Sequence, residues 1–185
     1  MHPLSDISDH QKNLPMRSLN IEGVEIRLIR LPLNEPFETS FGKIDSRLIF
    51  LVCLHAEGLR GWGEVVASEE PRYSYETVGT AFHVIKDFFG PALLAEPIKG
   101  LADLAKRLSS FRGHNMAKAG LELAYMDLLA QVSQQSLSTL IGGTVKRVAV
   151  GVSLGIQPTV FQLLERVERY LSLGYQRIKL KIKPK

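Results

Sequence analysis

The densest run of side chains able to do acid–base chemistry is basic. Arg177, Lys179, Lys181, Lys183 and Lys185 fall within the last nine positions, and no acidic residue follows Glu168. The stretch Tyr175–Lys183 (YQRIKLKIK) alternates as a strand does. Ile178, Leu180 and Ile182 share one face, and Lys179, Lys181 and Lys183 share the other. On pattern alone, a half-exposed strand with a solvated lysine face is the simpler reading. A second follows if the strand closes a parallel unit, because parallel strands are usually covered on both faces. Lysines facing a covered interior are costly unless they line a wet cavity or do chemistry. Neighbouring ammonium groups repel, which favours the neutral amine, and a neutral amine is a general base. Removing a proton alpha to a carboxylate needs such a base and a cation to hold the enediolate.

The elements that would position these lysines come in three blocks. Ile21–Leu33 alternates apolar and polar residues and predicts a half-buried strand, with Pro32 and Pro36 ending regular pairing. Glu35–Lys43 (EPFETSFGK) reads as a loop carrying Phe37 and Phe41. These rings either fold under to cap the local core or form a lid over a ligand; spacing alone favours the cap. Leu48–His55 and Leu59–Val66, separated by Glu57-Gly58, complete an antiparallel meander. Helical periodicity then predicts helices over Ser74–Phe89, with Ser74 as cap and Gly90 as stop, and over Leu101–Phe111, Asn115–Gln134 and Ser136–Ile141. Arg147–Leu154, Pro158–Leu173 and Tyr175–Lys183 read as strand, helix and strand, a beta-alpha-beta unit with a parallel crossover.

Composition narrows the function classes. The chain has 185 residues, 45% hydrophobic and 23% charged, which suits a globular fold. Cys53 is the single cysteine, so a disulfide framework and a multi-cysteine zinc site are excluded; one thiol accords with a cytoplasmic protein. Cys53 in an apolar strand reads as an inert core thiol. No apolar run predicts a membrane span. Met1–Ser18 is polar and reads as a flexible leader rather than a signal peptide. The net charge of +4 does not demand nucleic acid. The five histidines are scattered, none at helical ligand spacing from another, and His83 reads as a buried or half-exposed structural residue. Trp62 reads as a packing residue, and Gly61 and Gly63 would admit a close backbone or ring.

The order of several stretches resembles a known family. They are Pro36-Phe37-Glu38-Thr39-Ser40-Phe41-Gly42, Gly61-Trp62-Gly63-Glu64, Phe111-Arg112-Gly113-His114 with Met116-Ala117-Lys118, Gly151-Val152-Ser153-Leu154-Gly155, and Gly174-Tyr175-Gln176-Arg177-Ile178-Lys179-Leu180-Lys181-Ile182. Together they resemble the enolase superfamily, muconate-lactonizing subgroup, and within it the o-succinylbenzoate synthase / N-acylamino acid racemase family. The resemblance implies an α+β capping domain, residues 19–143, built from a three-stranded antiparallel meander and a helical bundle. The first βαβ unit of a TIM-type barrel follows in residues 144–185. Lys181 would act as the base on one face of the substrate, with Lys179 tuning it. Phe37, Thr39, Ser40, Phe41 and Ser153 would lie against a small carboxylate substrate, and Mg2+ would hold the enediolate. One branch of the family loses water to give o-succinylbenzoate for menaquinone synthesis, and another racemizes N-acylamino acids.

The resemblance also implies what these residues lack. The family's three carboxylate metal ligands and its second catalytic lysine lie on later barrel strands, so this stretch holds no metal ligands. It reads as the N-terminal portion of the enzyme, inactive by itself. The usual Lys-x-Lys-x-x-Pro-Gly continuation is here Ile182-Lys183-Pro184-Lys185. A non-enzymatic alternative is an interaction module that pairs through uncovered barrel strands, with itself or with a missing barrel half. Cycloisomerase and dipeptide epimerase activities share the same base. Nucleic-acid binding through the basic run ranks last, for want of interleaved aromatic residues beyond Tyr170 and Tyr175.

Overall fold

The computed structural model describes residues 17–40 and 42–182. They group into two compact units. The first holds the described residues up to Ile29 together with Leu48–Thr144, and the second holds Arg30–Arg47 together with Val145–Lys185.

Three strands form one sheet in the order β1 (Gly23–Thr39), β2 (Gly42–Ala56), β3 (Leu59–Val65). The sequence predicts a shorter first strand that ends at the prolines and a loop over 35–43. Instead β1 runs through Pro32 and Pro36 as far as Thr39, and a turn begins at Ser40. The reason is position: β1 is an edge strand, where a proline's missing N–H need not interrupt a ladder. β2 and β3 pair antiparallel, with Cys53 opposite Trp62 and Val52 opposite Gly63.

In the first unit one face of the sheet packs on helices. Phe50, Val52, Leu54 and Ala56 join that core from β2, and Val65 joins it from β3. The predicted first helix starts later than Ser74 and ends later than Gly90. α1 (Val78–Val84) begins at Thr77, whose hydroxyl accepts from Thr80 N in a reciprocal capping box. A π-helical turn (Ile85–Phe89) leads straight into α2 (Gly90–Leu94), where Gly90 keeps helical φ of −55°. α3 (Leu101–Ser109), α4 (Asn115–Val132) and the short α5 (Leu137–Leu140) follow. His83 is exposed rather than buried; its Nδ1 lies 2.7 Å from Asp87 Oδ2 one turn on.

α4 is the central helix of this unit, with eight buried residues including Leu121, Tyr125 and Leu128. Its approach to β3 requires glycine on both elements. A Cβ at Gly63 would lie 1.9 Å from Gly120 O, one at Gly61 would lie 2.1 Å from Ala124 O, and one at Gly120 would lie 2.3 Å from Val65 Cγ2. The close approach predicted for Gly61 and Gly63 is therefore made by a helix backbone. The first turn of α4 has no cap from its own chain neighbour, His114, which sits at φ 55°. Glu76, 2% exposed, supplies it from afar: its carboxylate accepts from Met116 N at 2.9 Å and Ala117 N at 3.1 Å.

In the second unit β4 (Gly151–Leu154) and β5 (Arg177–Leu180) pair in parallel around α6 (Val160–Ser172). Thr159 caps α6 by accepting from Gln162 N at 3.2 Å, and Gly174 takes φ +90° just past its end. The predicted strands are shortened to four residues each; Lys181 and Ile182 follow β5 outside the strand, and Lys183 lies outside the described residues. No described helix is long and apolar enough to cross a membrane.

Candidate active site

The parallel register fixes the lysines. Ser153 is the direct partner of Lys179, and Leu154 is the partner of Leu180. Lys181 N donates to Leu154 O at 3.1 Å, which extends the pairing past the end of β5. Strand alternation places Lys179 and Lys181 on the same side, at the C-terminal ends of β4 and β5. That is the end where open and closed parallel α/β sheets carry their ligands. Lys179 and Ser153 are exposed and Lys181 is half-buried.

The tip of the β1–β2 hairpin belongs to the same unit and is tied to the same strand end. Ile156 N donates to Glu38 O at 3.0 Å, immediately beyond β4. Gly155 permits this, because a Cβ there would lie 3.0 Å from Glu38 N and 3.4 Å from the Phe37 ring. Phe37 therefore rests beside the chain that leaves β4, half-buried. Thr39 Oγ1 donates to Gly42 O at 3.4 Å across the turn. Ser40 is exposed at the tip, and Phe41 lies outside the described residues.

Glu35 anchors the hairpin to α6. Its carboxylate accepts a hydrogen bond from Arg166, and Arg169 lies 3.5 Å away. The Arg166 hydrogen bond, helped by the charges of both arginines, holds the Glu35 carboxyl below the usual carboxylate range. Beside this anchor is a cleft of about 530 Å³ lined by Glu38, Lys43, Gln157, Gln162 and Arg166 among others. Lys179, Lys181 and Ser153 are not part of its lining. The structure thus brings Ser153, Lys179 and Lys181 together on one strand pair, and Phe37 and Thr39 together on the hairpin that meets the end of β4. Sequence reading missed the anchor, because Glu35 and Arg166 are far apart in the chain and form no local motif.

Residues 22–142 match the family model of the mandelate racemase / muconate lactonizing enzyme N-terminal domain. The chain belongs to this family. It is 49% identical over 168 residues to o-succinylbenzoate synthase of Geobacillus stearothermophilus, covering 90% of this chain and 45% of that protein. Against N-succinylamino acid racemase of Thermus thermophilus it is 46% identical over 166 residues, again 90% of this chain and 45% of the relative. Among solved structures it is similar to a dipeptide epimerase from Enterococcus faecalis complexed with Mg and the dipeptide L-Leu-L-Tyr. That match has 26% identity and a TM-score of 0.74, and covers 91% of this chain and 46% of the epimerase. The chain spans about half the length of the curated relatives it matches. The fold is that of the capping domain of the enolase superfamily followed by a two-stranded parallel start.

Magnesium prefers an all-oxygen shell of carboxylates and water. Among the described residues no carboxylate cluster meets at β4 and β5. The one convergent ligand group, Glu25 with Cys53 and His55, lies in the other unit and includes a thiol and an imidazole. The described residues therefore do not fit magnesium.

Proposed function

We propose that this chain supplies the capping domain and the first catalytic strands of an enzyme that removes a proton alpha to the carboxylate of a small substrate. The reaction is that of an o-succinylbenzoate synthase, an N-acylamino acid racemase, or both. The register that sets Ser153 beside Lys179, with Lys181 one step further at the same strand end, carries this reading. In it, Lys181 Nζ takes the proton from one face of the substrate. Lys179 stands two positions before Lys181, on the same side of the strand end. Ser153 lies against the substrate. Phe37, Thr39 and Ser40 form the hairpin lid that excludes water during transfer, held by Glu38 and Glu35.

Residues 1–185 by themselves are expected to be inactive, because among the described residues no cation ligands converge at the lysines. A chimera tests the reading: residues 1–185 fused to the remaining part of the Geobacillus relative. The expected result is magnesium-dependent conversion of the o-succinylbenzoate precursor or racemization of N-succinylamino acids, lost by at least about a hundredfold in Lys181→Ala. Full activity in the Lys181→Ala chimera overturns the assignment.

A second reading rests on exposed apolar surface. Val148, Val150, Phe161, Leu164 and Ile182 are each more than half exposed. Phe161 and Leu164 lie on α6 and the others flank β4 and β5, surface that barrel neighbours would cover. Light scattering that shows one monomeric species, unchanged on mixing with the separate barrel part of the relative, counts against such pairing.

A further inference from the structure

Strand alternation in the first unit sends two sets of β2 side chains in opposite directions. Phe50, Val52, Leu54 and Ala56 enter the helix-facing core. Cys53 and His55 face the other way and belong to no part of that core, yet Cys53 is fully buried. Close to it is a set of polar groups on the same strands. Glu25 of β1, Cys53 and His55 each offer one ligand atom, and these atoms all lie within 4.8 Å of one another. His55 Nε2 is 3.2 Å from Glu25 Oε2. Arg27 Nε donates to Glu25 Oε1 at 2.6 Å, and its guanidinium carbon stands 5.0 Å from the centre of the Trp62 ring. Trp62 is the register partner of Cys53.

The spot therefore already holds a positive charge. Its occupant is one flexible side chain, 52% exposed, kept there by a carboxylate and an aromatic face. We propose that Glu25, Cys53 and His55 form a binding site for a zinc-class divalent cation, with Arg27 as the side chain such a cation displaces. Carboxylate, thiolate and imidazole are the donors that zinc takes, and three protein ligands leave a fourth position for water or another group. The thiol and imidazole select against magnesium and calcium. All three ligands sit on adjacent, hydrogen-bonded strands, so little backbone ordering is needed to assemble them. Burial pushes the Cys53 thiol up, so the metal-free protein keeps its proton at neutral pH, and metal binding must release it. None of the three ligands belongs to the proposed catalytic set, so the site stands or falls separately from the proposed reaction.

Cobalt(II) is the probe, since a cobalt–thiolate bond gives a charge-transfer absorption and Cys53 is the single thiol. Titration of the 185-residue protein is expected to saturate at one equivalent, with zinc displacing the cobalt and one proton released from the thiol. Glu25→Gln and His55→Gln should each weaken binding at least about tenfold. Arg27→Gln removes the competing cation at an exposed position and should tighten binding. Absence of the absorption at millimolar cobalt overturns the site. So does a band whose affinity is unchanged in both Glu25→Gln and His55→Gln, or weakened in Arg27→Gln.

Discussion

Two long helices meet opposite fates. α4 buries eight residues and closes backbone to backbone on β3 through Gly61, Gly63 and Gly120. α6 has a strong apolar stripe, a threonine cap and a glycine stop, yet buries no residue, with Val160 72% and Phe161 69% exposed. Local signals formed both helices, but only α4 finds its packing partners in its own unit. The first unit holds the buried hydrophobic core. The second has its lysines, lid contact and strand register in place, with its apolar surface open. The difference separates what holds the fold from what the proposed reaction would use.

The largest effect should come from breaking the tight interface. Gly63→Ala would drive a methyl against the Gly120 carbonyl, where neither backbone can yield cheaply. A loss of about 3 kcal/mol or more is expected in denaturant unfolding of the first unit. An equal substitution at Gly174, which has nothing within 4 Å, strains only its positive φ and should cost about 1 kcal/mol.

The next test uses the same core and pH. Tyr125 is fully buried, its hydroxyl donating to Ile98 O at 3.1 Å, and burial pushes its pKa up to about 12. The unfolded phenol ionises near 10 while the folded one keeps its proton, so its stabilisation is full below about pH 10 and is lost as pH rises towards 12. The loss is about 3 kcal/mol, on the order of two pKa units. Equilibrium unfolding across that window should show the fall in the parent and a flatter profile in Tyr125→Phe.

A smaller effect belongs to the second unit. Glu35 is stabilised as a carboxylate by Arg166 and Arg169, so its contribution is present above the ordinary carboxylate range and lost as pH falls through its depressed value. The pair is substantially exposed, so Glu35→Ala should cost under about 1 kcal/mol. Amide exchange should nonetheless quicken at Ile156, whose N–H holds the hairpin to β4.

Sequence pattern exposed most of the architecture. Period-two alternation marked the strands, 3.6-residue periodicity marked α3, α4 and α6, and Gly174 marked an end that the structure keeps. Pro32 and Pro36 misled because only sheet order reveals that β1 lies at an edge. Gly90 misled because a π-helical turn carried the chain through it. The cap from Glu76 and the anchor from Glu35 were invisible, since each joins residues distant in sequence. Cys53 and His55 were legible in part: two positions apart on a strand, they must share a face. Their convergence with Glu25 needed the neighbouring strand. The alternating lysines were plain, but their partnership with Ser153 required the parallel register.

The central claim is that Lys181 acts from one side of a substrate. In the chimera with the Geobacillus barrel, solvent deuterium should enter the alpha position of an N-succinylamino acid from both enantiomers. Lys181→Ala should abolish entry from one enantiomer and spare the other. Equal exchange from both enantiomers after that substitution would contradict the account.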